Sequence, residues 1–262
     1  MALLSGHRAL VGGASQGIGR ACAVELARLG ASVTAMARDE AALREVVSQL
    51  DTQADQKHGL LSVDFTDPAG LQAKVAAHVR DAGPITVLVN NTGGPPSGPL
   101  TEATADALRS GFSNHVVCFQ LLAQTLLPGM KEARFGRIVN IISTSVVQPI
   151  KGLGVSNTVR AAVANWGRTL AAEVAPFGVT VNNVLPGYTD TARLRSLLQK
   201  WADRDKITYD EALKQSLKTI PAGRLADAAE IAAVVGFLTS PAASYVNGVN
   251  LPVDGGRTAI QS

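Results

Sequence analysis

Cysteine, aromatic residues and long apolar runs are all scarce in this chain. The two cysteines, Cys22 and Cys118, lie far apart and match neither a disulfide framework nor the spacing of a metal site. Aromatic residues make up 4% of the 262 residues, and no apolar run is long enough to span a bilayer. These features argue against a disulfide-stapled domain, a metalloprotein and an integral membrane protein.

Runs of like charge are also missing. The 24 Lys and Arg residues against 21 Asp and Glu residues give a net charge of +3, which is mildly basic. Without a basic arm we expect no nucleic-acid partner, whereas a small phosphorylated ligand suits this charge. The stretch Met1-Ala-Leu-Leu-Ser5 is too short for a signal peptide. We therefore expect a reducing, cytoplasmic setting and no membrane partner.

Short apolar runs alternate with amphipathic stretches along the chain. This alternation predicts an α/β fold: a doubly wound, Rossmann-like parallel sheet of about seven strands with helices on both faces. No repeat, linker or low-complexity segment interrupts it, so residues 1–262 are predicted to form a single domain. The predicted strands are Ala9–Val11, Ser32–Ala37, Gly59–Val63, Ile85–Val89, Arg137–Ile142, Val179–Val184 and Val249–Val253.

The stretches between these strands show the spacing of helices. A helix is expected after the first strand, and further helices are predicted at Glu40–Leu50, Pro68–Asp81, Asp106–Leu127, Val155–Val174 and Asp227–Leu238. We expect Pro128-Gly129 to stop the longest of them. Residues 189–224 are predicted to be irregular, either as a lid that shapes a substrate pocket or as a surface excursion.

A glycine cluster follows the first strand. In Gly12-Gly-Ala-Ser-Gln-Gly-Ile-Gly19, glycines recur at the strand end and at the start of an apolar helical pattern. The free backbone N–H groups and the positive dipole end of such a helix favour a phosphate, and glycine allows close approach of the ligand. The alternative is a glycine-rich turn that binds nothing.

These residues and several later motifs resemble the short-chain dehydrogenase/reductase family over nearly the whole chain. The glycine turn resembles Thr-Gly-x-x-x-Gly-x-Gly, Asn90-Asn-Thr-Gly93 resembles Asn-Asn-Ala-Gly, and Pro186-Gly-Tyr-Thr-Asp-Thr191 resembles Pro-Gly-x-x-x-Thr. The resemblance implies a dinucleotide site made by Gly13, Ser15, Gln16, Gly17, Ile18, Gly19, Asp64, Phe65, Asn91, Thr92, Gly93, Pro186, Gly187, Thr189 and Thr191. Asp64 is the residue expected to contact the adenine, and the Pro-Gly segment is expected to hold the nicotinamide carboxamide.

The resemblance also implies catalytic positions. Ser143 matches the family's catalytic serine, and Asn114 matches the asparagine of its long fourth helix. The family's Tyr-x-x-x-Lys, however, is replaced by Ser156-Asn-Thr-Val-Arg160. The chain therefore resembles a divergent branch that is similar to the β-ketoacyl-carrier-protein reductases.

This replacement changes the proton chemistry. A phenol can be tuned towards neutrality, whereas a serine hydroxyl is a much weaker acid and has a shorter reach. Arg160 is permanently charged, so it can bind ribose hydroxyls but cannot relay its own proton. Tyr188 is the first candidate for a substitute donor and Lys151 the second, although Tyr188 is equally compatible with an apolar wall. Ser143 could bond a substrate oxygen or cap the strand end.

The end of the second strand indicates which nucleotide is preferred. An NAD-specific site needs a carboxylate there, but the chain has Ala37 followed by Arg38. Arg38 can pair with a 2′-phosphate, which favours NADP(H) over NAD(H). Gln16 replaces the family's second basic residue, and Asp39 would weaken the preference.

Two hypotheses follow. The first is an NADP(H)-dependent oxidoreductase that acts on a small carbonyl, alcohol or 3-oxoacyl substrate with an altered proton donor. The second is a nucleotide-binding pseudoenzyme that serves as a sensor, regulator or assembly partner. A lyase or isomerase has no positive support in the sequence. Family resemblance implies a homo-oligomer, either a dimer or a tetramer.

Overall fold

Seven parallel strands form one sheet in the computed structural model, which describes residues 3–259. They are β1 (Arg8–Gly12), β2 (Ser32–Ala37), β3 (Gly59–Ser62), β4 (Val87–Asn90), β5 (Gly136–Ile141), β6 (Val179–Pro186) and β7 (Asn250–Val253). Their order in the sheet is β3-β2-β1-β4-β5-β6-β7. The winding direction reverses between β1 and β4, which is where such sheets open a ligand crevice.

The connections between strands are helical. They are α1 (Gly17–Arg28), α2 (Glu40–Ser48), α3 (Pro68–Ala82), α4 (Ala105–Phe112), α5 (Cys118–Glu132), α6 (Gly154–Val174), α7 (Ala192–Asp205), α8 (Tyr209–Lys218) and α9 (Ala228–Thr239). The predicted fold class is confirmed, and the shared elements differ from prediction mainly at their ends. None of the helices within residues 3–259 has the length and apolarity needed to cross a bilayer.

Each face of the sheet has its own apolar core. Successive side chains of β1 alternate between the faces, so Ala9 and Val11 join one core and Leu10 joins the other. The first core contains Leu26 of α1 together with apolar residues of α2 and α9. The second contains Phe119 of α5 together with apolar residues of α3 and α6. This arrangement explains why most strands read as continuous apolar runs.

A row of asparagines crosses the second half of the sheet. Asn90, Asn140, Asn183 and Asn250 are register partners on β4 to β7. Asn90 Nδ2 donates to Asn140 Oδ1 at 2.9 Å, Asn140 Nδ2 donates to Asn183 Oδ1 at 2.8 Å, and Asn183 Nδ2 donates to Asn250 Oδ1 at 2.8 Å. The first three side chains are fully buried. The row thus pairs buried amide groups across the strands and leaves Asn90 Oδ1, at its end, without a partner in the described part of the chain.

The helix that the sequence predicts to be the longest is divided in two in the structure. The prediction of a helix from Asp106 to Leu127, stopped by Pro128, was wrong. A π-helical turn at Ser113–Val117 separates α4 from α5, and Pro128 lies inside α5. Proline removes one backbone donor, but the continued last turn places Met130 in the core with no exposure. Burial of that side chain outweighs the lost hydrogen bond.

Residues 189–224 were wrongly predicted to be irregular, since they contain α7 and α8. The Thr191 side chain accepts from the Leu194 amide at the start of α7. Thr208 and Glu211 form a capping box at the start of α8. Leu198 of α7 is fully buried. Both helices therefore have sequence signals that the irregular prediction overlooked.

The asparagine row leads to a stability prediction. We expect Asn140→Ala to lower the free energy of unfolding by about 2–5 kcal/mol, because it leaves buried amide groups of Asn90 and Asn183 without partners. Urea unfolding would measure the change, with Gln53→Ala at an exposed loop position as the control. A change below about 1 kcal/mol would show that the row contributes no more than an ordinary exposed hydrogen bond.

Candidate active site

A cleft of about 880 Å³ opens beyond the carboxyl ends of the strands, at the reversal between β1 and β4. It gathers residues from every loop that the sequence singled out. Of the predicted site residues, its lining includes Gly13, Ser15, Gln16, Gly17, Ile18, Arg38, Asp64, Phe65, Asn91, Thr92, Gly93, Asn114, Ser143, Ser156, Arg160, Pro186, Gly187, Tyr188, Thr189 and Thr191. Gly19 lies behind the glycine turn and does not line the cleft.

The glycine turn is closely packed against the loop after β4. Gly13 has a φ of +58°, and a Cβ on Gly19 would lie 2.1 Å from the Gly13 carbonyl oxygen. Asn91 Nδ2 donates to the Gly12 carbonyl at 3.0 Å and so holds the two loops together. The turn leaves backbone exposed at the start of α1, as a pyrophosphate requires. The residues present therefore fit a dinucleotide.

Arg38 lies at one end of the cleft, next to Ala37 at the end of β2. The Asp39 carboxylate accepts from the Ala42 amide and caps α2. Asp64 accepts from the Thr66 amide, and this backbone hydrogen bond is the main reason that the pKa of Asp64 is lowered, with a smaller contribution from Arg38. Both carboxylates therefore have partners of their own, and Arg38 is an exposed cation at this end.

Ser143 lies two residues after the end of β5, at the other end of the cleft. Its Oγ accepts from the Ser145 amide at 3.0 Å, so the side chain caps the short 3-10 turn Thr144–Val146 that follows the strand. A hydroxyl has one donor and two acceptor sites, and this bond uses only an acceptor. Ser143 can therefore still donate its proton to an oxygen in the cleft, and the two predicted roles are compatible.

Ser156 and Arg160 occupy successive turns of α6 and are both buried. Arg160 Nη1 donates to the Ile141 carbonyl at 2.7 Å, while its Nε has no partner among residues 3–259. Burial is the main reason that the pKa of Arg160 falls to about 10, and the charge of Arg193 adds to this effect. Arg160 therefore remains a cation at neutral pH.

A buried histidine lies near Arg160. The His115 ring bonds the Gly111 carbonyl through Nδ1 at 2.9 Å, so Nδ1 carries a hydrogen. Burial, followed by the charge of Arg160, lowers the pKa of His115 to about 3. His115 Nε2 is thus a neutral acceptor without a partner in the described part of the chain. The sequence analysis did not single out this residue.

Asn114 lies in the π-helical turn and lines the cleft. With its amide nitrogen turned towards the main chain, it donates to the Phe65 carbonyl at 3.0 Å and the Ser110 carbonyl at 3.2 Å. These bonds link the loop after β3 to α4. Asn114 therefore has a structural role in holding these two segments together.

Tyr188 lies between the large cleft and a neighbouring one of about 280 Å³. Its ring packs edge-on against Trp201 with centroids 6.1 Å apart, and the Arg257 guanidinium lies 4.9 Å from the ring centroid. Lys151 and Gln148 line only the smaller cleft. Tyr188 therefore reaches the large cleft, whereas the second candidate donor, Lys151, lies beyond it.

Arg193 is a cleft residue that the sequence analysis missed. It lies in the first turn of α7, and its Nη2 donates to the Pro95 carbonyl at 2.7 Å. A cation next to a helix N-terminus opposes the helix dipole, and this was a signal available in the sequence.

Within residues 3–259, no group of three or more His, Cys, Asp or Glu residues could hold a metal ion.

Comparison with known proteins agrees with this geometry. A family model described as enoyl-(acyl carrier protein) reductase matches residues 13–258. The 3-oxoacyl-[acyl-carrier-protein] reductase FabG of Vibrio cholerae is 35% identical over 259 residues, which cover 98% of this chain and 99% of that protein. The family to which these matches point is one of oxidoreductases.

Solved structures show the same fold. L-sorbose reductase from Gluconobacter frateurii, complexed with NADPH and L-sorbose, superimposes with a TM-score of 0.92 at 29% identity and covers 100% of both chains. A candidate NAD(P)-dependent gluconate 5-dehydrogenase from Beutenbergia cavernae, with bound NADP, gives a TM-score of 0.88 at 33% identity over 98% of both chains. Together with the cleft, these likenesses show that the chain belongs to the short-chain dehydrogenase/reductase family.

Proposed function

We propose that this protein is an NADP(H)-dependent oxidoreductase that reduces or forms a small carbonyl compound and uses an altered proton donor. The observation that carries this proposal is the single cleft that extends from Arg38, past the glycine turn, to Ser143. It combines a cradle for a dinucleotide with a hydroxyl that can bind a substrate oxygen. A 3-oxoacyl substrate is one candidate, given the likeness to the Vibrio cholerae reductase.

Each part of the nucleotide has residues to hold it. The glycine turn and the start of α1 would hold the pyrophosphate, Asp64 the adenine, and the Pro186-Gly187 segment with Thr189 and Thr191 the nicotinamide carboxamide. Arg38 would hold a 2′-phosphate by charge-assisted hydrogen bonds. When bound, NADP(H) supplies or accepts a hydride.

Reduction of a carbonyl builds negative charge on its oxygen, which the protein must stabilise and then protonate. Ser143 can donate a hydrogen bond to this oxygen, and Ser156 can add a second. Neither hydroxyl is acidic enough to serve as the proton source, so Tyr188 is proposed as the donor. Arg160 would contribute positive potential and hydrogen bonds to ribose hydroxyls.

The second candidate function is a nucleotide-binding protein without dehydrogenase activity. Two observations favour it: Arg160 is already bonded to the Ile141 carbonyl, and position 156 carries a short serine hydroxyl in place of the family's phenol. NADPH binding alone would not distinguish this function from the first one. Turnover of a carbonyl does distinguish them.

The test combines both measurements on the purified protein. We expect saturable NADPH binding by fluorescence titration and oxidation of NADPH with at least one member of a panel of ketones, aldehydes and 3-oxoacyl thioesters. Binding without turnover on this panel, or on alcohols with NADP⁺, would favour the nucleotide-binding protein. Absence of saturable binding would overturn both functions.

The cofactor preference gives one prediction. We expect Arg38→Gln to raise the Kd for NADPH about tenfold or more and to leave the Kd for NADH nearly unchanged, because only NADPH has the 2′-phosphate. Arg44→Gln, at an exposed arginine of α2 that pairs with Glu40, is the matched control. Equal effects of Arg38→Gln on both nucleotides would contradict the assignment.

The proton donor gives another prediction. We expect Tyr188→Phe to lower kcat by about 10²–10⁴-fold, because it removes general acid catalysis while keeping the ring against Trp201. The Kd for NADPH should not change. Tyr245→Phe, at a fully exposed tyrosine, is the control. If Tyr188→Phe retains full turnover, Tyr188 is an apolar wall and Lys151→Met becomes the next variant to measure.

Three further assignments also belong to this proposal. Residues 189–224 are proposed to shape the substrate site, since Leu194, Leu197 and Trp201 of α7 line the cleft. A homodimer or homotetramer remains a prediction from the family resemblance, and a cytoplasmic location remains a prediction from the cysteine content.

A further inference from the structure

Two arginines meet on one wall of the large cleft. Arg160 reaches this wall from α6 and Arg193 from α7. A Cβ built on Gly94, in the loop after β4, would lie 3.1 Å from Arg193 Nη2 and 3.6 Å from Arg160 Nη2. Both guanidinium groups therefore lie against the same small volume of the cleft.

No carboxylate of the described cleft lining balances these charges. The acidic residues of that lining are Asp39 and Asp64, which are engaged by the backbone amides of Ala42 and Thr66 at the Arg38 end. Neither arginine takes part in an ion pair within residues 3–259. The Gly94 wall is therefore positively charged without a protein counter-ion.

A buried charge is unfavourable unless a partner is present, and this applies to Arg160, which is 9% exposed and has an unpartnered Nε in the described part of the chain. Arg193 is an exposed residue, although partial burial of its guanidinium group lowers its pKa. Each arginine has one main-chain carbonyl as its acceptor among the described residues, at Pro95 and Ile141 respectively. Their other N–H donors have no acceptor among the described residues.

The position of Arg193 does not stabilise its own helix. It lies in the first turn of α7, where the helix dipole favours anions over cations. Arg195, two residues later, makes an exposed ion pair with Asp190 instead. Arg193 thus lies at the positive end of a helix and beside a second guanidinium group, and an anion bound in the cleft would offset both unfavourable interactions.

We infer that Arg193, supported by Arg160, binds the carboxylate of the substrate, so that this site acts on oxo acids or hydroxy acids and discriminates against neutral carbonyl compounds. A planar guanidinium matches a carboxylate through two parallel hydrogen bonds. The inference rests on the proposed oxidoreductase function. The nucleotide's pyrophosphate is the other anion that could occupy this wall, and the experiment separates the two.

The experiment uses pyruvate, acetoacetate and levulinate, each paired with its methyl ester, because these acids vary the spacing between carbonyl and carboxylate. We expect the wild-type protein to show a higher kcat/KM for at least one acid than for its ester. Arg193→Gln should lower kcat/KM for that acid about ten- to hundredfold, as loss of a charge-assisted hydrogen bond predicts, with ester turnover and the Kd for NADPH unchanged.

Arg195→Gln is the matched control, since it removes an arginine from the same helix outside the cleft. It should preserve the preference for the acid. Unchanged ester turnover by Arg193→Gln also shows that this variant is folded. An Arg193→Gln variant that loses NADPH affinity and keeps the preference would assign the wall to the pyrophosphate and overturn the inference. Equal use of acids and esters by the wild type would overturn it as well.

The carboxylate site can also be tested if the proposed oxidoreductase function fails. If NADPH binds and no carbonyl compound is turned over, thermal unfolding in the presence of NADP⁺ decides the inference by itself. Acids, but not their esters, should then raise the unfolding midpoint of the wild-type and Arg195→Gln proteins and not that of Arg193→Gln. No difference between acid and ester in this measurement would overturn the inference.

Discussion

The cleft exists because the chain reverses its winding direction between two neighbouring parallel strands. β1 and β4 are paired in the sheet, yet the connections from them leave towards opposite faces. The connections separate beyond the carboxyl ends of the two strands and leave a crevice, at whose base the glycine turn and the Asn91 loop are joined by the hydrogen bond from Asn91 to Gly12. Every functional assignment depends on this geometry, since it brings residues from distant parts of the chain to one edge.

The two halves of the sheet support this edge by different means. β1 and β2 are embedded in apolar side chains on both faces. From β4 to β7, the asparagine row adds buried hydrogen bonds that run from strand to strand. A row of hydrogen-bonded amides favours one register, because a shift would break these bonds in the interior. The loops that carry Asn91, Ser143 and Gly187 therefore start from strands of defined register.

Charge gives the two ends of the cleft different characters. At the nucleotide end, Arg38 is exposed and the nearby carboxylates are engaged in capping. At the other end, Arg160 is buried and Arg193 is exposed, and neither has a protein counter-ion within the described residues. A desolvated charge interacts more strongly with a ligand than a hydrated one. The inner end is therefore where the protein has most capacity to select an anionic substrate.

The sequence by itself determined the fold class and most of the strands, because apolar periodicity and glycine spacing are local signals. The site residues that its motifs implied through the family resemblance line the cleft, with the exception of Gly19. The sequence patterns failed where local and tertiary effects compete: Pro128 lies within α5 because burial of Met130 extends the helix. Only the tertiary structure decided that Arg193 and Arg160 meet beside Gly94. Three distant segments form that wall, and long-range proximity between charged side chains leaves no pattern in the linear sequence.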